Sequence, residues 1–256
     1  MRRVVVTDLD DTLLDGAYSF EAAAPALAEL RARGIPLILN TSKTAAETRV
    51  LVERLGLREP FAVENGGALY LPLGYFPGTV PGALRRDDDL MIPLGPALAE
   101  GLPGTVGFRD MSDDQVARVT GLPLEDAARA RRREFDEAFT CPPELEPRLP
   151  ALAAERGLRV SRGGRFWHLH GDSDKGRALR HLRDLYVWRD VDVRLIALGD
   201  GPNDLPMLLE ADVAIAVPRP DGRVHPALLA GVPRLRVAPA PGPAGWNEAV
   251  LAIIRE

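Results

Sequence analysis

The chain has 256 residues, 46% hydrophobic and 27% charged, long enough for one large domain or two modest ones with a buried core. That balance excludes wholesale disorder and a fibrous fold, and no apolar run approaches the ~20 residues of a membrane span. The net charge of −5 argues against a nucleic-acid partner, and one cysteine, Cys141, leaves neither an internal disulfide nor a cysteine metal cluster.

Residues 3–9 read as a strand, because Val4, Val5 and Val6 are consecutive β-branched residues suited to burial on both faces of a parallel sheet. An acid at Asp8 comes too early for a signal-peptide apolar region, so a cytoplasmic protein is expected. Residues 20–33 read as a helix closed by Gly34, 35–40 as a strand, 44–55 as a helix closed by Gly56, and 61–63 as a strand ending in the turn Glu64-Asn65-Gly66-Gly67. This β-α-β-α-β alternation predicts an α/β, doubly wound parallel-sheet (Rossmann-like) core. From 83 to 170 the pattern changes to acid and basic runs, several prolines, extended segments (101–110, 158–169) and helices (113–120, 124–130), which reads as a smaller inserted α+β domain. Within it Arg131-Arg132-Arg133 reads as a solvated helix face. The alternation then resumes with a helix (176–186), a strand (191–198), a short helix (206–211), strands (213–217, 235–237) and a closing helix (246–255). The expected division is therefore 1–82 with 171–256 as the core and 83–170 as the insertion.

Carboxylates cluster at two strand ends. Asp8-Leu9-Asp10-Asp11-Thr12 follows the first strand, and alternation puts Asp8 and Asp10 on one side. That edge is where open α/β sheets bind ligands. Two such carboxylates repel each other unless a divalent cation lies between them, and their hard oxygens suit Mg²⁺. The alternative is an Asp-rich turn capping the next helix. A second acidic turn, Gly199-Asp200-Gly201-Pro202-Asn203-Asp204, follows the apolar strand of residues 195–198. Asp200 could complete a metal site there, with Asn203 and Asp204 orienting ligands, and the alternative, compatible with it, is a Gly-Pro-Asn turn into a helix capped by Asn203 or Asp204.

Of 32 basic residues only Lys43 and Lys175 are lysines. Both open helices, where the dipole disfavours a cation and an anionic ligand would offset the misplacement. Lysine is a compact point charge, unlike the wide arginine fork. The 23 prolines are compatible with a thermophilic source.

The ordered set Asp8-x-Asp10-x-Thr12, Thr41, Lys175 and Gly199-Asp200-x-x-Asn203-Asp204 resembles the four motifs of the haloacid dehalogenase superfamily of phosphohydrolases, over nearly the whole chain. The insertion looks like the α+β cap of the subclass that includes sugar-phosphate phosphatases, and Glu64-Asn65-Gly66 resembles that subclass's turn. Asn40-Thr41-Ser42-Lys43-Thr44, in place of the more usual Thr-Gly-Arg, and the stretch from Ala238 through Gly245-Trp246-Asn247 resemble mannosyl-3-phosphoglycerate phosphatases, which make a compatible solute. The resemblance implies a Mg²⁺-dependent hydrolase with Asp8 as nucleophile and Asp10 as acid and base. Asp8, the Asp10 main chain and Asp200 would hold the metal, and Thr41 (or, with a one-residue shift, Ser42) and Lys175 would hold the phosphoryl oxygens. Substrate contacts are expected from Lys43, Thr44, Glu64, Asn65, Gly66, Arg165, His168, Asn203 and Asp204. Trp167 would stack on a sugar face or sit in the cap core. The expected partner is a small sugar phosphate, with no nucleic acid and no membrane, and the chain a monomer or weak dimer. A phosphomannomutase-like transferase, another sugar-phosphate phosphatase, a silent phosphate-binding regulator and a broad housekeeping phosphatase acting on nucleotides or pyridoxal phosphate are the alternatives.

Overall fold

Three consecutive valines need apolar cover on both sides, and β1 (Arg2–Thr7) receives it: Val4, Val5 and Val6 are at most 1% exposed. Burying each contributes about 1.5–3 kcal/mol. The computed structural model describes residues 1–162, 165–189 and 191–256, and the elements and contacts below belong to those residues.

After β1 come α1 (Ala24–Ala32), β2 (Leu37–Asn40), α2 (Ala45–Arg54) and β3 (Phe61–Val63). The chain then turns through Glu64–Gly66 into β4 (Ala68–Pro72), β5 (Leu84–Arg86) and β6 (Asp89–Pro93). The second unit holds β7 (Val106–Gly107), α3 (Asp113–Thr120), α4 (Leu124–Ala130), β8 (Asp136–Thr140), α5 (Leu149–Ala154), β9 (Arg159–Arg162) and β10 (Trp167–His170). The chain returns through α6 (Lys175–Trp188), β11 (Val193–Gly199), α7 (Leu205–Glu210), β12 (Val213–Ala216), α8 (Pro226–Gly231), β13 (Arg236–Val237) and α9 (Gly242–Ile253).

The large sheet runs β13-β12-β11-β1-β2-β3-β4-β6-β5, parallel from β13 to β3 and antiparallel beyond. Alternation splits its side chains between two cores. Val5, Leu39, Leu198 and Trp246 pack on the α1, α2 and α9 side, while Val4, Val6, Leu195 and Ala197 pack on the α6 and α7 side. The smaller sheet, β7-β8-β10-β9, is antiparallel. One cluster joins Ala138 to Phe108, Val116 and Ala127, and another joins Phe139 and Leu169 to Leu149 and Ala153. The molecule is thus α/β, with a parallel-dominated sheet and a smaller α+β unit inserted in it. No helix among the described residues is long and apolar enough to cross a membrane.

The structure moves one boundary. β6 pairs with β4 and β5 pairs with β6, both in the large sheet, so the chain leaves it only after Pro93, not at residue 83. Asp87 tips the β5–β6 turn at φ 51 rather than opening the insertion. The segment expected as one extended run, 158–169, contributes two antiparallel strands, β9 and β10. The last helix starts at Gly242, four residues early, because Pro243 suits a first turn and Gly245 packs where a Cβ would lie 1.6 Å from the Ala240 carbonyl oxygen.

Candidate active site

The site forms where the central parallel strands end. Asp8 follows β1, and its backbone N–H donates to the Leu198 carbonyl at 3.0 Å. Behind it Trp246 Nε1 donates to Thr7 Oγ1 at 2.9 Å, and that hydroxyl donates to the Asp8 carbonyl at 2.7 Å. The Gly-Trp segment therefore braces the strand end that carries Asp8. Leu9 turns into the core at 0% exposure, as alternation requires.

Lys175, the first residue of α6, is fully buried. Its Nζ donates to Asp8 Oδ1 and to Asp204 Oδ1, both at 2.6 Å. Asn40 Nδ2 fixes the backbone by donating to the Lys175 carbonyl at 2.9 Å. The other Asp204 oxygen accepts the N–H groups of Asp200 and Gly201 at 3.0 Å each. Asp204 is therefore consumed in holding the lysine and the acidic loop, and it touches no open space. Thr12 Oγ1 donates to Asp200 Oδ1 at 3.2 Å.

Asp8, Asp200 and Asp204 present carboxylate oxygens within 4.8 Å of one another. Burial, then Asp204, pushes the Asp8 carboxyl up to about 7 against the pull of Lys175. Burial, then Asp8 and Asp204, pushes Asp200 up to about 8. Burial is the largest cause of both shifts, and crowded negative charge adds to it beyond what one lysine balances. An all-oxygen donor set with surplus negative charge fits a hard divalent cation. The Asp10 carboxylate is turned elsewhere, to Lys43 Nζ at 2.9 Å. Burial lowers the Lys43 pKa and Asp10 raises it, for a net rise.

A cavity of about 720 Å³ opens over this cluster. Of the residues expected from sequence, Asp8, Asp10, Asn65, Arg165, His168, Asp200 and Asn203 line it, and so does Ser42 rather than Thr41. Thr41 is fully buried, with its hydroxyl accepting the Lys43 N–H at 3.2 Å.

Four expected substrate contacts are corrected. Glu64 is 2% exposed, and its carboxylate accepts the backbone N–H groups of Glu134, Phe135 and Asp136, so it pins the inserted unit and does not line the cavity. Burial pushes its carboxyl up to about 7 despite Arg133 and those donors. Thr44 caps α2 in a reciprocal pair with Glu47, and its hydroxyl also reaches the Arg129 carbonyl. Gly66 has φ +81, and a Cβ there would lie 2.1 Å from the Asp174 carbonyl oxygen, so its role is close packing beneath α6. Asp204 is committed as described. Trp167 faces away from the cavity, donating to Glu146 at 3.2 Å and packing with Leu169. Arg133 is not solvated: its side chain is 5% exposed, 3.1 Å from Asp136, and donates to the Ser42 carbonyl at 3.0 Å.

Sequence reading missed Asp136. Buried in β8, it accepts from Asn65 Nδ2 at 2.7 Å and lies 2.7 Å from His168 Nδ1. Burial raises its pKa, but His168 and Arg133 prevail and hold it well below the usual carboxylate range. The local pattern Glu-Phe-Asp gives no sign of this. Also missed were Tyr18, Arg219 and His225, which line the cavity from core loops.

The family described as haloacid dehalogenase-like hydrolase matches residues 5–72 and 155–227. The chain is 37% identical, over 99% of its length and 98% of the relative's, to the glucosyl-3-phosphoglycerate/mannosyl-3-phosphoglycerate phosphatase of Methanococcoides burtonii. It is 37% identical, over 85% of its length and 91% of the relative's, to the mannosyl-3-phosphoglycerate phosphatase of Pyrococcus furiosus. The crystal structure of Thermoplasma acidophilum 0175 superposes with a TM-score of 0.67 at 18% identity, covering all of both chains, a likeness of fold.

Proposed function

The chain belongs to the haloacid dehalogenase-like hydrolase family, and on that premise we propose that it is a phosphatase that hydrolyses mannosyl-3-phosphoglycerate to mannosylglycerate and phosphate. The observation that carries the substrate is the 37% identity, over 85–99% of the chain, to relatives named for it.

Asp8 is the nucleophile. Its Oδ1 is held by Lys175, which leaves the other oxygen to attack phosphorus in line as the ester P–O bond breaks. Asp10 gives its proton to the departing C3 oxygen, a contribution of ~10²–10⁴-fold. An aspartyl-phosphate results, and Asp10 then takes a proton from the water that hydrolyses it. Lys175 sits beside the equatorial oxygens, where transition-state charge spreads, and Thr41 or Ser42 supplies a hydroxyl. Asp8, the Asp10 carbonyl and Asp200 would hold Mg²⁺. When bound, the ion keeps these carboxylates ionised and offsets their repulsion of the phosphate. The inserted unit acts as a cap that excludes water, with Arg165 and His168 facing the substrate from it.

Purified protein, assayed for phosphate release with Mg²⁺ and with chelator, tests the reading. The expected result is a kcat/KM for mannosyl-3-phosphoglycerate far above that for simple sugar phosphates, abolished by chelator. Equal rates on unrelated phosphates would return the chain to a broad phosphatase. The M. burtonii relative is named for both sugars, so glucosyl-3-phosphoglycerate is the second substrate to assay.

A further inference from the structure

A phosphoglycerate ester brings two anionic groups into the cavity. Lys175 serves the phosphate, which leaves the glycerate carboxylate to be matched. Three arginines line the cavity: Arg162, Arg165 and Arg219. Arg162 is committed, donating to Glu146 at 3.0 Å and stacking over Trp167 at 5.0 Å. Arg165 donates to the Thr120 carbonyl at 2.6 Å.

Arg219 differs. Its Nε is buried and makes no hydrogen bond among the described residues, while the side chain as a whole stays 38% exposed. Its Nη2 stands 3.8 Å from Asp221, beyond hydrogen-bond reach. A buried donor left unpaired is costly, and a ligand acceptor would offset that cost. Nε and one Nη form the fork that grips a carboxylate with two parallel bonds, and no hydrogen bond among the described residues ties up that Nε.

The loop bearing it is preformed. Pro218 and Pro220 flank Arg219, its N–H donates to the Arg223 carbonyl at 3.0 Å, and Gly222 N–H donates back to its carbonyl at 2.7 Å. The Pro218 carbonyl accepts from Gly242 at the start of α9. At the loop's end His225 Nδ1 accepts the Ala227 N–H at 3.2 Å, so the neutral ring carries its proton on Nε2. His225 lines the same cavity. Arg219 lines the same cavity as the acid-base Asp10 and its neighbour Asp11.

We propose that Arg219, with His225 beside it, reads the carboxylate of the leaving group, so that a core loop sets specificity together with the cap. This rests on the phosphoglycerate reading above. The test compares wild type with Arg219→Gln and Arg219→Lys on mannosyl-3-phosphoglycerate and on mannose 6-phosphate, which lacks a carboxylate. Arg219→Gln is expected to lose roughly 10–100-fold in kcat/KM on the first, the worth of a charged hydrogen-bond pair, and under about 3-fold on the second. Inhibition by inorganic phosphate should stay unchanged, which a misfolded variant would not show. Arg219→Lys should recover only part of the loss, since a point charge lacks the fork. Equal losses on both substrates, or no loss on either, overturn the assignment. If wild type prefers the carboxylate substrate and Arg219→Gln keeps that preference, only Arg219 is overturned. If wild type shows no such preference, the substrate reading falls, and the assignment with it.

Discussion

Lys175 is a buried cation between two buried carboxylates, and geometry this tight distinguishes lysine from arginine. Its Nζ meets Asp8 and Asp204 at 2.6 Å each with no exposed surface, and the next residue, Gly176, is so close to α7 that a Cβ would lie 2.5 Å from the Pro206 carbonyl oxygen. A planar guanidinium needs room that this pocket lacks. Lys175→Arg is therefore expected to fold, with a packing penalty of about 1–3 kcal/mol, and to lose on the order of 10²–10³ in kcat as the donor is misplaced. Lys175→Ala leaves Asp8 and Asp204 facing each other unpaired, and should cost about 3–5 kcal/mol of stability. Phosphate release and urea midpoints check both, and near-normal turnover in Lys175→Arg would remove the lysine from the reaction. Asp8, Lys175 and Asp200 were legible in the sequence because each follows an apolar strand or opens a helix at a fixed spacing. The part of Asp204 was not, because nothing local says that both its oxygens are spent on the lysine and the loop beside it.

At the scale of elements, legibility followed burial. β1 and β2 are covered on both faces and spell continuous apolar runs, and α2 announces itself through Thr44 and Glu47. The edge strand β5 and its neighbour β6 escaped notice: β5 is exposed throughout, and the acid run ahead of Leu90-Met91-Ile92 masks the short apolar run of β6. Gly66 shows the same limit for a turn. Its sequence announces a bend, but its partner, the Asp174 carbonyl, is far along the chain. Two glycines separate backbone strain from packing. Gly66 and Gly74 have φ of +81 and +79, but only Gly66 has a neighbour within 4 Å of an added Cβ. Gly74→Ala should therefore cost about 1–2 kcal/mol, the left-handed penalty alone. Gly66→Ala must add displacement of the α6 N-terminus and cost clearly more. Thermal unfolding of the two variants checks this, and equal losses would mean the turn beneath α6 yields freely.

Over the whole molecule, the two units are joined by charge as well as by chain. Arg133 and Asp136 reach from the inserted unit to the Ser42 carbonyl and to Asn65, and Asn203 of the acidic loop donates to Asn65 at 3.2 Å. A basic run that reads as a solvated face thus supplies a buried tie, because burial of a charge depends on a partner that only the tertiary fold delivers. Asp136 is its centre, and its pKa is held low by His168 and Arg133 against the upward push of burial. The unfolded chain, with a carboxylate near ~3.9, then takes up the proton before the folded one does. The contribution of Asp136 to stability is therefore complete above the unfolded pKa and falls away as pH drops toward the folded value. Replacing it by asparagine at pH 5 removes one partner of a buried ion pair and should cost about 3–5 kcal/mol. Urea midpoints of wild type and Asp136→Asn, followed from pH 5 to pH 3, should draw closer together as the carboxylate of the unfolded wild-type chain protonates while the folded one stays ionised. A gap that held constant on acidification would show that Asp136 binds its proton equally in both states, and one that widened would show a folded pKa above the unfolded one; either would mean that the tie between the units is not ionic.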